Sequence, residues 1–165
     1  MQHAKGYTLV EILTAVVIVT ILVSMAVPLY EKTIERSRLA EARTVLAKLQ
    51  DAKLQAMDAM GCRQYDANND SCPKLRHLNM GVTGTADNDL SFDTDAFHFS
   101  LVTHAGRWRN AVCARRTGGD GVGTVFVYAA PGVTAAGSPA QFQCMGASCQ
   151  SIYGLGEAGL SIRCL

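Results

Sequence analysis

No cysteine occurs in the first 61 residues, and no charged side chain between residues 12 and 30. The first absence sets the amino-terminal stretch apart from whatever the later cysteines stabilise. The second leaves 19 consecutive uncharged, mostly apolar positions, close to the roughly 20 that a helix needs to cross a bilayer core. The chain also lacks a charge imbalance: 15 Lys and Arg stand against 14 Asp and Glu. A globally basic nucleic-acid binder or a strongly acidic surface is thereby excluded, and any charge-driven binding has to be local. There is no G-x-S-x-G nucleophile turn and no second close cysteine pair beside Cys144 and Cys149 to complete a zinc site. The residues point to no enzyme and no cofactor.

What is present fits one modest domain plus one special segment, since 165 residues with 48% apolar and 18% charged content are neither disordered nor wholly membrane-embedded. Six cysteines, Cys62, Cys72, Cys113, Cys144, Cys149 and Cys164, crowd into the glycine-rich remainder. An even number in a small domain implies disulfides, an oxidising compartment and export together. Fifteen pairings are open to six cysteines. Pairing neighbours would join Cys62 to Cys72 and Cys149 to Cys164, leaving Cys113 for Cys144.

Residues 1–6, MQHAKG, are polar, and the character changes at Tyr7. From there to Tyr30 the sole charge is Glu11. Positive residues flank the run on both sides, Lys5 before and Lys32, Arg36 and Arg38 after, so charge bias does not orient it. Beyond it Ile34, Ala42, Val45, Leu46, Leu49, Ala52, Ala56, Met57 and Met60 recur at helical spacing, with Glu41, Arg43, Lys48, Asp51 and Lys53 largely elsewhere. One helix over residues 7–60 is expected, bent at Pro28 and stopped by Gly61. Residues 61–95 are rich in Gly, Asn and Asp and read as loop. Short strands are expected at 97–103, 111–115, 124–129, 141–144 and 160–164, separated by glycine-rich links. The fold class is α+β, a long amino-terminal helix packed on a small antiparallel sheet with disulfides.

Glu11 is the residue to explain, because a carboxylate near one end of an apolar spanning segment is costly without a partner. The helix face around it is apolar, so the partner is expected from outside its own helix. A cut after Gly6 would create an amine on Tyr7, and the amine of a neighbouring copy then answers the charge. KGYTLVEIL followed by the apolar run and Pro28 resembles the class III signal and amino-terminal helix of type IV pilins and type II secretion pseudopilins. The resemblance covers about residues 5–30. Within it, Tyr7 replaces the commoner Phe and Thr20 stands where many members have glycine.

The resemblance implies cleavage after Gly6 by a prepilin peptidase, N-methylation of Tyr7, alignment of incoming subunits by Glu11, and a helix weakened at Pro28. It also implies the organisation: a leader at 1–6, a transmembrane and filament-core half-helix at 7–30, an amphipathic half at 31–60 and a disulfide-bonded head at 61–165, with a loop region at 61–95 and a sheet at 96–165. The implied partners are further copies of the chain in a helical homopolymer, the inner membrane before assembly, the peptidase and an assembly platform. The implied location is the inner membrane for the precursor and an extracellular or periplasmic filament afterwards. A pilus subunit is favoured over a secretion pseudopilin by the three potential disulfides and the long loop. A monomeric membrane-anchored binding domain is the reading from another class, and an ordinary signal peptide is disfavoured by Glu11 and by the length of the run.

Smaller signals weigh less. Asp66, Asn68 and Asp70 have the alternate spacing of a calcium loop, but Ser71 and His77 stand where glycine and glutamate belong. Arg107, Arg109 and Arg115, with Arg116 beside them and Trp108 between, would form a basic patch able to hold nucleic acid if 107–115 is a hairpin arm, since alternate residues share a face. His98 and His104 read as structural histidines. GLGEAG at 154–159 has no room for a dinucleotide fold after it and reads as a turn. Asn69 begins a glycosylation pattern too common to decide anything.

Overall fold

The computed structural model describes residues 7–63, 72–78, 85–88, 90–102, 110–131, 139–158 and 164, with backbone alone for 85–88. Two compact units emerge, Met1–Ile34 and Glu35–Leu165. Helix α1 is Leu9–Met60 and passes through Pro28 without interruption. Its expected stop is present: Gly61 takes φ 70°, the Gly61 amide donates to Asp58 O and the Cys62 amide to Met57 O. These paired bonds close the last turn, and the left-handed conformation is the one glycine adopts without a Cβ clash.

In the second unit the described residues form a six-stranded antiparallel sheet in sequential order: β1 Thr85–Asn88, β2 Ser91–Asp93, β3 Phe97–Leu101, β4 Val112–Arg116, β5 Val125–Ala129 and β6 Gln141–Met145. A short helix α2, Ser148–Ser151, follows. The α+β pilin-like fold is thus present. Strands alternate their faces, so Phe97, Phe99, Leu101, Val112, Ala114, Phe126 and Cys144 share one side and pack with Leu39, Ala42, Leu46, Leu49 and Met57 of α1. Aromatic rings run along this side, Phe92 stacked on Phe99 at 5.1 Å and Tyr153 edge-on to Phe126 at 5.0 Å. Val102, Ala111, Cys113, Val127 and Ala129 form a second buried cluster on the other side.

Two expectations are corrected here. The region 61–95 is more than loop, for it holds β1, β2 and a 3₁₀ turn at Leu75–His77. Short polar segments such as Ser91–Asp93 become strands because β3 supplies the pairing edge and Phe99 the apolar contact for Phe92, which local composition does not reveal. The disulfides are Cys62–Cys72, Cys113–Cys164 and Cys144–Cys149, so one of the three neighbour pairs holds and two do not. Face parity is the reason. Cys113 lies opposite Val127 and Cys144 opposite Phe126, which puts the two cysteines on opposite sides of the sheet. Cys149 joins the helix-side core while Cys164 packs on the outer cluster. The strand expected at 160–164 lies outside the described residues except for Cys164.

The link between β4 and β5 is threaded tightly past the head's interior, where a Cβ added at Gly121 would run into the Tyr153 hydroxyl. Gly121→Ala is expected to lower stability by about 1–3 kcal/mol, the usual range for overpacking. A urea midpoint measured on the full chain in detergent micelles checks it, and an unchanged midpoint contradicts the packing described.

Candidate functional site

The amino-terminal unit is defined by exposure. Large apolar side chains from Tyr7 to Tyr30 are all at least 47% exposed, reaching 81% at Tyr7. Its best 18-residue window has a mean hydropathy of 2.6 and is 0% buried, so α1 is long and apolar enough to cross a membrane. Its hydroxyls turn inward: Thr14 donates to Val10 O and Glu11 O, Thr20 to Val17 O, Ser24 to Ile21 O and Thr33 to Leu29 O. Such back-bonding spends the polar group on the helix's own carbonyls and leaves the outer surface apolar. Thr20 is accommodated this way. Pro28 sits within α1, lacking the amide that the turn before it would otherwise receive.

Glu11 is hydrogen-bonded to the residue that precedes its own helix. Thr8 N donates to Glu11 Oε2 at 3.1 Å, Thr8 Oγ1 donates to the same oxygen at 3.0 Å, and Glu11 N donates to Thr8 Oγ1 at 3.3 Å. This is a capping box, with Thr8 just before the first helical residue Leu9 and Glu11 in the first turn. Its signal was present in the sequence: Thr-x-x-Glu immediately before an apolar run. Gly6 lies outside the described residues.

In the second unit the charged chemistry is buried. Glu35 is 5% exposed and Arg116 2%. Arg116 Nε donates to Glu35 Oε2 at 2.9 Å and Arg116 Nη2 to Glu35 Oε1 at 2.8 Å, a two-pronged pair. Arg38 Nη1 adds a bond to Oε1 at 3.1 Å and Tyr153 Oη one to Oε2 at 3.0 Å. The remaining prong of Arg116 reaches Ala96 O at 2.7 Å. The Arg116 guanidinium holds the Glu35 carboxyl below the usual carboxylate range against the opposing effect of burial, with Tyr153 and Arg38 assisting. Burial, then the neighbouring Glu35 carboxylate, push the Tyr153 phenol up.

Of the expected basic patch, the described residues include Arg115 and Arg116 alone. Arg115 and Arg116 are successive strand residues on opposite faces, Arg116 spent on Glu35 and Arg115 exposed, while Arg107, Trp108 and Arg109 lie outside the described residues. Lys53 was expected on the polar side of α1, yet it is fully buried and donates to Ala111 O at 3.0 Å, beside Gln50 donating to Asn110 O. Burial pushes its ammonium down to about 7. His98 meets Asp93 at 2.6 Å between Nδ1 and Oδ1, a structural pair. The calcium candidates Asp66, Asn68 and Asp70, with His104 and Asn69, lie outside the described residues, and no cluster of metal-ligating side chains occurs among the described ones. Of GLGEAG, the described residues 154–158 form no helix, and Glu157 bridges to Cys144.

Residues 1–27 match the family model for the prokaryotic N-terminal methylation motif. That motif is the class III prepilin signal of type IV pilins and pseudopilins, and it points to a structural protein of pilin or pseudopilin type. No curated protein and no solved structure matches the chain.

Because the Glu35 carboxyl titrates lower folded than unfolded, its contribution to stability is fully present above its unfolded value, near 4.5, and is lost as pH falls through the lower folded value. Glu35→Gln is expected to be less stable than the wild type at pH 7 and to lose less on acidification below pH ~4.5. Urea midpoints of both proteins at pH 7 and pH 3 test this, and parallel pH profiles would contradict it. Arg116→Met, which leaves the buried carboxylate short of its main partner, is expected to cost about 3–5 kcal/mol in the same assay.

Proposed function

We propose that this chain is a pilin, cut after Gly6, held in the inner membrane by residues 7–30 and then polymerised into a type IV pilus or pilus-like filament through that same helix. The observation that carries the reading is the methylation motif at residues 1–27 standing on an apolar run left wholly exposed within the chain. Burying a large aliphatic side chain is worth about 1.5–3 kcal/mol, so a run of this length commits tens of kcal/mol to finding a cover. Lipid is one cover and sister helices are another. Because the two are similarly apolar, moving between them does not expose the run to water.

In this reading Tyr7 becomes the methylated amino terminus, Glu11 receives the amine of a neighbouring copy, and Pro28 loosens the helix at the end of its apolar half. The boundaries follow as a leader at 1–6, a membrane and filament-core segment at 7–30, an amphipathic segment at 31–60 and a head at 61–165. The three disulfides suit a head that ends outside the cytoplasm, and they favour an exposed pilus over a secretion pseudopilin.

Mass spectrometry of the mature chain tests the processing step: the expected amino terminus is N-methylated Tyr7. A chain that starts at unmodified Met1 or at Val27 would sink the proposal. Glu11→Ala separates polymer from anchored monomer. It is expected to be cleaved normally but to yield few or no sheared filaments, whereas a monomeric anchored domain would lose nothing.

A further inference from the structure

Among the described residues of the second unit, Val122 is the one large apolar side chain left exposed, at 62%. A lone exposed valine is ordinary on a protein surface, so its place decides what it means. Val122 stands on the link between β4 and β5, and that link is firmly held. Thr117 N donates to Ala96 O, Val122 N to Gly119 O, Gly123 N to Arg116 O and Thr124 N to Gly121 O. The link packs over Glu35, the first residue of the second unit. A Cβ at Gly119 would stand 2.8 Å from Glu35 Oε1 and 3.7 Å from Arg38 Nη1. Arg36, exposed on α1, donates from Nε to Ile152 O, next in sequence to the Tyr153 that underlies Gly121. Over residues 31–38 and 117–123 the cations are Lys32, Arg36 and Arg38, and the anions Glu31, Glu35 and Asp120. Glu35 is taken by Arg116, which leaves this end of the unit net positive.

A bilayer is about 40–45 Å thick with a hydrocarbon core of about 30 Å, which leaves roughly 5–8 Å of headgroups on each side. Tyr30 ends the apolar run, and the five residues from there to Glu35 rise about 7–8 Å along a helix. A run seated in the core therefore delivers Glu35, and the link packed on it, to the outer boundary of the headgroups. We propose that the β4–β5 link is a lipid-docking tip: Val122 enters the headgroup layer while Arg36 and Arg38 pair with lipid phosphates. The proposal rests on the reading of residues 7–30 as a membrane segment. One valine does not hold a free protein on a bilayer. Here the anchor already keeps the tip at the surface, so docking is an intramolecular event and small gains suffice. Guanidinium forks match phosphate oxygens, and each basic side chain near an anionic surface shifts occupancy roughly fivefold.

The full chain in nanodiscs of phosphatidylcholine and phosphatidylglycerol tests the tip, with a nitroxide carried first on the lipid headgroups and then near the acyl-chain ends. The headgroup nitroxide is expected to abolish the amide signals of Gly121, Val122 and Gly123 while sparing those of Val112 and Phe126 within the sheet. Val122→Asp, a change at an exposed position, is expected to restore the three signals. Arg36→Gln is expected to lower the docked-to-free ratio roughly fivefold. Signals at 121–123 as strong as those of the sheet overturn the docking tip, and so does broadening that survives Val122→Asp. Sparing at 121–123 in nanodiscs, joined to slowed amide exchange there in sheared filaments, assigns the tip to contact between copies and likewise overturns it. The acyl-chain nitroxide checks the premise separately. Broadening at Val17 and Ile21 places the run in the bilayer, whereas their sparing overturns the membrane reading itself.

Discussion

A carboxylate removed from water has to be met by donors, and Glu35 is met by four of them from three separated parts of the chain. Arg38 comes from the next turn of α1, Arg116 from the end of β4 and Tyr153 from the segment after α2. The apolar core of the head would tolerate small slides of α1 over the sheet, because dispersion contacts are non-directional. A two-pronged guanidinium contact does not. It fixes the part of α1 that belongs to the second unit, in rotation and in register, against the strand that carries Arg116. The glycine link from β4 to β5 is obliged to pass close over the same group, and at Gly119 a Cβ would approach Glu35 Oε1 to 2.8 Å. Buried pairs of this kind add little net stability over an apolar substitute, so their worth here lies in selecting one arrangement.

The disulfides act on the same head from its periphery. Cys62–Cys72 ties the turn after α1, Cys144–Cys149 ties β6 to α2, and Cys113–Cys164 carries the end of the chain back to the sheet. A separation of 51 residues in the last pair restricts the unfolded chain more than separations of 10 or 5, on the loop-entropy account. Together with the Glu35 group they allow a small sheet to be specified by few residues. Among its described residues the amino-terminal unit has no disulfide or buried ion pair, and its large apolar side chains are exposed.

The parts of this protein legible in its sequence are those with local causes. The helix shows because apolar spacing and Gly61 are contiguous signals, and β3 to β6 show because alternation and glycine links are too. β1 and β2 do not, since their pairing depends on an edge supplied from elsewhere in the chain. Cysteine pairing failed for the same reason: whether Cys113 and Cys144 share a face depends on strand register, and no count along the chain supplies it. Glu35, Gln50 and Lys53 occupy the buried side of α1, where helical periodicity alone places apolar residues. Their partners, Arg116 and the carbonyls of Asn110 and Ala111, are about sixty to eighty residues away. Thr8 differs in kind. Its capping-box pattern with Glu11 was readable, and the expectation of a distant partner obscured a near one.

Two of the four glutamates of α1, Glu11 and Glu35, show how near and distant partners differ. Glu35 is saturated, with both oxygens taken and their donors held by the fold, so it has no capacity for another molecule and can serve only architecture. Glu11 lies in an apolar segment where hardly any other polar group is available, and its local partner satisfies one oxygen. Both bonds it accepts from Thr8 fall on Oε2, so unlike Glu35 it keeps hydrogen-bonding capacity that the described part of its own chain does not use.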